Sequence, residues 1–396
     1  MALINERTLL LSLQSLTRAW IAREDPSKAI PLGGMEPSEF SGTTWEALGV
    51  SAAGRDILFA RLQGMFPPPA ANAGPSHFAT PGNMARQAYG DWENGTRNIV
   101  YKSSGSSGEP KELVHTYEEI CQETACLARL LPHIEHVAAL TPQHHCYGFT
   151  FGVLLHQYIG ASYAVYPPYP TIFGNIPLGR VLVVGYPDFW SRVGLAGLAL
   201  KSGFICLSAG SPWPDEQIRQ IMRPGCADIM EIYGSSENGA IGYRTGPHDF
   251  TLLDYWMREQ RAGLSDVLAR VSPAGVRKRC LPQDELSWTT ERAFRPLRRI
   301  DSAVHVSGTN VYPLYIAGLI EEHPLVAACR VRLMRPDEGG RLKAFVVPAE
   351  GADIRNLRGE LKRFCRNRLS APERPIKFTF GSAILKNNFG KEIDWT

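Results

Sequence analysis

Between Tyr101 and Lys111 the chain reads YKSSGSSGEPK, a serine- and glycine-rich stretch that closes on a lysine. Gly105 and Gly108 can take positive φ and bring backbone N–H groups close to an anion. Ser103, Ser104, Ser106 and Ser107 add hydroxyl donors, and Lys111 adds charge. Such a loop suits a triphosphate. It is not a Walker A loop, because its glycines are too close together and Glu112 follows the lysine where Ser or Thr is required. The same composition also fits a flexible linker, so the rest of the chain has to decide. NIVY before the loop has strand character and KELVHTYEEICQETACLARLL after it has helical periodicity, which predicts a loop joining a strand directly to a helix.

Five further segments carry groups that could act beside such a phosphate site. TPQHHCYG brings His145, Tyr147 and Gly148, and SAGSPWP brings Gly210, Ser211 and Pro212. EIYGSSENGAIG holds Tyr233, Gly234, Ser235, Ser236, Glu237 and Gly239. RRIDSAVHVSGTNVYP holds Arg299 and Asp301, and LKNNFGKEI holds Lys391. Together with the first loop, and in this order, they resemble the motifs of the adenylate-forming superfamily: acyl-CoA synthetases, aryl-CoA ligases and peptide-synthetase adenylation domains. That family's phosphate loop reads close to SGSTGxPK, and the later segments are similar to its P-x-x-H-x-Y-G, GAPL, YGSTE, GRxDxxVKxxGxxVxP and PxTxxGKI motifs. The resemblance covers residues 95 to 396, and this chain is similar to an abridged aryl-CoA or aryl:carrier-protein ligase.

The resemblance implies ATP-dependent activation of a carboxylic acid to an acyl-adenylate with release of pyrophosphate, then transfer to a phosphopantetheine thiol of CoA or of a holo acyl carrier protein. Negative charge must then be neutralised and the two reactants held in line. Mg2+ takes oxygen ligands from one or two carboxylates and from substrate phosphates, which suits Glu237. Ser236 could bond the α-phosphate, and Tyr233 offers a flat apolar face to adenine or to the core. Two acids precede Arg299 as candidates for the ribose, Asp284 and Glu291. Asp284 is favoured, because DEL follows the family's GDL pattern and Glu291 stands too near the arginine. Arg299 could add charge-assisted bonds. The resemblance makes Lys391 the residue that bridges carboxylate and α-phosphate, Lys111 a second catalytic cation and Asp301 the hinge. His145 is assigned to the wall of the acyl site with Tyr147, Gly148 and Gly239. A general base is not needed there, since the acceptor is already a carboxylate.

These groups must be positioned by a fold, and the expected fold is α/β. ASYAVYPPYP, GRVLVVGYP, GFICLSAGSP and ADIMEIYGSS read as strands separated by helical stretches such as DEQIRQIM. A large, shortened N-terminal domain of layered sheets and helices is expected over 1–300, and a small α+β domain, with AFVVP as one strand, over 301–396. FPPPAANAGP and PPYPTIFGNIP read as loops that could border the acyl site, and ERTLLLSLQSLTRAWIARED as an amphipathic surface helix. The 396 residues are 44% apolar and 20% charged with a formal net charge of +3, an ordinary globular balance that implies neither nucleic acid nor membrane insertion. Eight cysteines without a C-x-x-C pair suit a reducing compartment, so a cytoplasmic location is expected.

Some positions depart from the family pattern. Little before Tyr101 is recognisable, the stretch from Glu237 to Asp284 looks abridged, and Arg298, His305, Tyr315 and Ala317 replace residues that the pattern expects. These changes leave adenylation intact on paper and weigh on the thiol step. A non-catalytic nucleotide-binding scaffold and a fatty-acid ligase are the alternatives. Retention of Lys111, Glu237, Asp284, Arg299 and Lys391 argues against the scaffold.

Overall fold

The structure is a computed structural model that describes residues 3–24, 34–69, 78–104, 110–198, 200–222, 228–259, 267–299, 303–307, 309–384 and 395. The chain divides into two compact units, one of residues 1–102 and 112–297 and the other of residues 103–111 and 298–396.

The first unit opens with helices α1 (Glu6–Glu24), α2 (Pro37–Gly42), α3 (Ala52–Met65) and α4 (Pro81–Glu93). The amphipathic pattern of α1 predicts a surface helix; the structure buries every residue from Thr8 to Thr17. Its polar residues tolerate this because each finds a partner. Ser12 Oγ donates to the Thr8 carbonyl at 3.0 Å, Thr17 Oγ1 to the Leu13 carbonyl at 2.8 Å and Gln14 to the Met35 carbonyl at 2.8 Å. Leu9, Leu11 and Leu13 then pack with Leu58, Leu62, Met84 and Trp92 of α3 and α4.

Strands β1 (Ile99–Ser104) and β2 (Pro110–His115) form a two-stranded sheet. The stretch after the serine- and glycine-rich loop is therefore a strand before it is a helix, contrary to the expectation from its sequence. Alternation explains this: Leu113 and His115 are buried while Glu112 and Val114 are exposed, a period of two. Helix α5 (Tyr117–Leu130) starts only at Thr116, whose hydroxyl accepts from the Glu119 amide while Glu119 accepts from the Thr116 amide.

A nine-stranded sheet follows, in the order β13-β14-β9-β8-β7-β6-β5-β3-β4. Its parallel part is β3 (His136–Ala139), β4 (Ser162–Val165), β5 (Val181–Val184), β6 (Phe204–Ala209) and β7 (Asp228–Ser235). The alternation of strand side chains builds a layer on each face. Leu182, Val184, Ile205 and Leu207 meet α5 and the helix α6 over residues 146–159, whereas Val181, Val183, Phe204 and Cys206 meet α7 (Pro187–Leu195) and α8 (Asp215–Ile221). The Phe149–Leu154 segment of α6 widens to π geometry, and the helix ends at Gly160 in the left-handed region. Of the two proline-rich stretches, residues 70–77 lie outside the described residues and Pro170–Gly174 is a short 3-10 helix.

The antiparallel part begins at β8 (Gly239–Thr245) and continues with β9 (Phe250–Leu252), β13 (Asp284–Trp288) and β14 (Ala293–Arg299). Between them, β10 (Trp256–Glu259), β11 (Val267–Val271) and β12 (Arg277–Cys280) make a separate three-stranded antiparallel sheet, which occupies the stretch that reads as abridged.

The second unit has its own core. It contains the hairpin β15 (Val304–Val306) and β16 (Thr309–Val311), helix α9 (Pro313–Glu321), the sheet β17 (Val326–Leu333), β18 (Leu342–Pro348) and β19 (Lys377–Phe380), and helix α10 (Ile354–Arg368). Leu357, Leu361 and Cys365 of α10 pack on Cys329, Ala344 and Val346.

Candidate functional site

Parallel strands carry their outgoing loops to one edge of the sheet, and in open α/β sheets ligands bind beyond the carboxyl ends of such strands. Three of the motifs read from the sequence sit there. Thr141–Gly148 comes after β3, Gly210–Pro212 after β6, and Ser236–Glu237 after β7, with β3, β5, β6 and β7 adjacent in that order.

The YGSSENG segment is a β-hairpin loop. Ser235 pairs with Gly239 across β7 and β8, so Ser236, Glu237 and Asn238 form a three-residue connection that Gly239 closes at φ +69. A Cβ at Gly239 would stand 2.2 Å from the Glu123 carboxylate, and one at Gly234 would stand 2.3 Å from the Gly239 carbonyl oxygen. Only glycine leaves room for the Glu123 carboxylate at one position and for the Gly239 carbonyl at the other. Two buried side chains from outside the motif hold the loop. The His115 ring bonds the Ser236 carbonyl from Nε2 at 2.7 Å, and Glu123 Oε2 accepts from the Ala240 amide at 3.1 Å. Burial lowers the His115 pKa, so the ring is neutral and Nε2 carries the donated hydrogen. Burial also raises the Glu123 carboxyl to about 7, against the pull of Arg270 at 3.9 Å. Neither residue belongs to a motif read from the sequence. The alternation that puts His115 on the inner face of β2 was the signal available.

Glu237 lies in this loop with Oε2 buried and without a hydrogen-bond partner among the described residues. A buried carboxylate oxygen left unpaired is costly unless something completes it. A hard cation such as Mg2+ would do so, and the residues present fit it.

Tyr233 stands near the end of β7. Its ring packs against Phe294 at 5.2 Å and Phe250 at 5.8 Å, and its hydroxyl donates to Asp284 Oδ2 at 2.8 Å. The fold thus joins two candidate nucleotide contacts 51 residues apart. Glu291 is exposed in the turn between β13 and β14.

The Gly210–Pro212 turn begins at Gly210 with φ +88. Glu231 beneath it accepts from the Trp213 amide at 3.1 Å and from Arg244 at 2.7 Å, while Arg244 also reaches the Trp213 carbonyl at 2.8 Å and Asp215 at 2.8 Å. This buried ion pair ties the turn to β7 and β8.

The His145 segment depends on α1. Ser15 Oγ accepts from the Gln143 amide at 2.9 Å and bonds His144 Nδ1 at 2.8 Å, and Arg18 donates to Gln143 Oε1 at 2.6 Å. Gly148 is required by packing, since a Cβ there would lie 2.1 Å from the Pro142 carbonyl oxygen. His145 is exposed, and lost solvation lowers its pKa. The Tyr147 ring packs on Phe151 at 5.2 Å, and its buried hydroxyl has no hydrogen-bond partner among the described residues.

The remaining candidates fall on β1, β2 and β14 or outside the described residues. Lys111 is exposed on β2. Ser103 and Ser104 end β1 and Arg299 ends β14, with their side chains outside the described residues. Gly105, Ser106, Ser107, Gly108, Asp301 and Lys391 lie outside the described residues altogether.

The AMP-binding enzyme family matches residues 86–272, and the AMP-binding enzyme C-terminal domain matches 316–391. The chain is 33% identical over 312 residues to a 4-coumarate–CoA ligase of Halorhodospira halophila, covering 78% of each protein. It is 35% identical over 309 residues to a 4-coumarate–CoA ligase of Rhodobacter capsulatus, covering 76% of each. The chain belongs to the AMP-binding enzyme family. Among solved structures, it resembles the amide bond synthetase McbA of Marinactinospora thermotolerans with a TM-score of 0.62 at 14% identity, over 97% of this chain and 92% of that one. It resembles an o-succinylbenzoate CoA synthetase of Bacillus subtilis with a TM-score of 0.61 at 16% identity, over 74% and 67%. These likenesses show the adenylate-forming fold, a large AMP-binding domain followed by a small C-terminal domain. The α/β architecture expected from the sequence is the one observed.

Proposed function

We propose that this AMP-binding enzyme is an ATP-dependent ligase for a small aromatic carboxylic acid, with CoA as the thiol acceptor. A carboxylate oxygen attacks the α-phosphorus of ATP, the bond to pyrophosphate breaks, and the thiol then attacks the acyl carbonyl as AMP leaves. Family membership supports the adenylation, and the two curated relatives support the aromatic acid and CoA. The observation that carries the nucleotide site is the bond from the Tyr233 hydroxyl to Asp284.

On this reading Asp284 accepts from the ribose hydroxyls and Arg299 adds charge-assisted bonds, while Tyr233, Gly234 and Gly210–Pro212 border the adenine. Ser235 and Ser236 face the α-phosphate. Ser103, Ser104, Gly105, Ser106, Ser107, Gly108 and Lys111 take the β- and γ-phosphates. Glu237 would hold Mg2+, which when bound neutralises phosphate charge. His145, Tyr147, Gly148 and Gly239 border the acyl group. The buried Tyr147 hydroxyl, unpaired among the described residues, suits an acid with a polar ring substituent, because a site built around a hydroxyl discriminates strongly against analogues that leave it unpaired. Lys391 stabilises the charge that builds between carboxylate and α-phosphate. Asp301, at the boundary between residues 1–300 and 301–396, serves as the hinge between half-reactions.

We place the reaction in the cytoplasm, where ATP and CoA are both available. Among the described residues no helix is long and apolar enough to cross a membrane. The test is pyrophosphate release with ATP and Mg2+ across benzoates, cinnamates and fatty acids, each with CoA, with a holo carrier protein or with neither. Release and CoA thioester formation confined to aromatic acids is the expected result. A fatty-acid preference, dependence on the carrier protein, or silence with ATP binding intact would each overturn part of the reading.

A further inference from the structure

The Ser236–Ala240 loop is gripped at both ends by groups that take no part in the chemistry. On one side the His115 ring, 2% exposed and packed against Tyr101, donates to the Ser236 carbonyl at 2.7 Å. On the other side Glu123, 3% exposed, accepts from the Ala240 amide at 3.1 Å and lies against Gly239, where any side chain would collide with it. Glu237 stands between the two grips, with its buried Oε2 unpaired among the described residues. Asn238 adds an internal brace, its amide donating to Ser235 Oγ at 3.3 Å.

We propose that His115 and Glu123 are positioning residues that fix the backbone on either side of Glu237 and so aim its carboxylate at Mg2+. This rests on the assignment of Glu237 to the metal. The physical case is one of degrees of freedom. A three-residue loop tip has soft φ and ψ at each residue, and a carboxylate carried on it loses metal affinity if it samples several orientations. Bonding the Ser236 carbonyl before Glu237 and the Ala240 amide after it removes most of that freedom without adding charge at the metal. His115 is neutral, and the Glu123 charge is opposed by Arg270 at 3.9 Å. Both holding groups come from the β2–α5 segment, so the element after the phosphate loop in sequence also sets the metal carboxylate.

The test is Mn2+ binding to the enzyme in the presence of ATP, followed by EPR, alongside the Mg2+ concentration that half-saturates pyrophosphate exchange. His115→Phe, which keeps a ring but donates nothing, and Glu123→Ala should each weaken Mn2+ affinity about 10-fold or more, within the range for groups that orient metal ligands. KM for the carboxylic acid should stay within about twofold, and excess Mg2+ should restore kcat. His115→Gln and Glu123→Gln, which keep a donor and an acceptor, should recover most of the affinity. They also keep the proposal testable if Glu123→Ala does not fold. Glu237→Gln separates the two readings. If it leaves Mn2+ affinity unchanged, the metal assignment fails and the proposal with it. If it weakens binding while folded His115→Phe and Glu123 variants bind as the parent does, or lose metal and acid affinity equally, the metal assignment stands and the positioning role is overturned.

Discussion

At the scale of single residues, the choice between Asp284 and Glu291 shows what a contact decides. Both acids precede Arg299 in sequence, but among the described residues only Asp284 is held by a second candidate, through the Tyr233 hydroxyl at 2.8 Å. On the proposed reading this carboxylate accepts the ribose hydroxyls. Its removal should cost about 1.5–3 kcal/mol of nucleotide affinity, the range for hydrogen bonds to charged groups. Asp284→Ala is therefore expected to raise the Kd for AMP by about 10–100-fold in calorimetric titration, with Glu291→Ala within about twofold of the parent. Lys391 belongs to the same scale. Lys391→Ala should abolish pyrophosphate exchange while leaving thiol transfer from a supplied acyl-adenylate intact, and equal loss of both half-reactions would refute its role.

The elements set where those residues can stand. Gly148 illustrates the constraint, since α6 leaves the His145 loop so tightly that a methyl group would strike the Pro142 carbonyl oxygen. Gly148→Ala should destabilise the first unit by about 1–3 kcal/mol or more in chemical denaturation, as overpacking does. Helix α5 carries a different kind of consequence. Glu123 is buried on it among Ala240, Tyr255, Arg270 and Glu119, and its carboxyl is raised to about 7, first by burial. In the unfolded chain a glutamate titrates near 4.3. A folded-state pKa above the unfolded one contributes stability that is complete below about pH 4.3 and is lost as the pH rises to about 7. The contribution of Glu123 should therefore fall across that window, and Glu123→Gln, which still accepts from Ala240, should flatten the pH dependence of the denaturation midpoint there.

For the whole molecule, the N-terminal helices are the largest addition that the structure makes to the sequence reading. They complete a core and also reach the site, because α1 holds the His145 segment through Ser15 and Arg18. Ser15→Ala should leave ATP affinity unchanged and raise KM for the acid, measured by pyrophosphate exchange; an unchanged KM would confine the helix to a packing role. The second unit has a separate core of Ile316, Ile320, Cys329, Val346, Leu357 and Leu361.

Local chemistry was legible in the residues. The parallel strands, the helix Asp215–Ile221 and the hairpin glycines each follow from apolar runs or from φ requirements that a short window carries. So do the residue types proposed for phosphate, ribose and metal. Proximity between distant segments has no such local signature. That His115 and Glu123 flank Glu237, that Asp284 meets Tyr233 and that a serine of α1 braces the His145 loop depend on which faces the sheet and helices bury together. The same holds for α1 itself: its serines and threonines read as a solvated face because their partners, carbonyls one turn back and groups from other segments, exist only once the helix is formed and packed. Residue type and order determined what this protein can bind, and burial in the folded chain decided which groups hold the binding residues still.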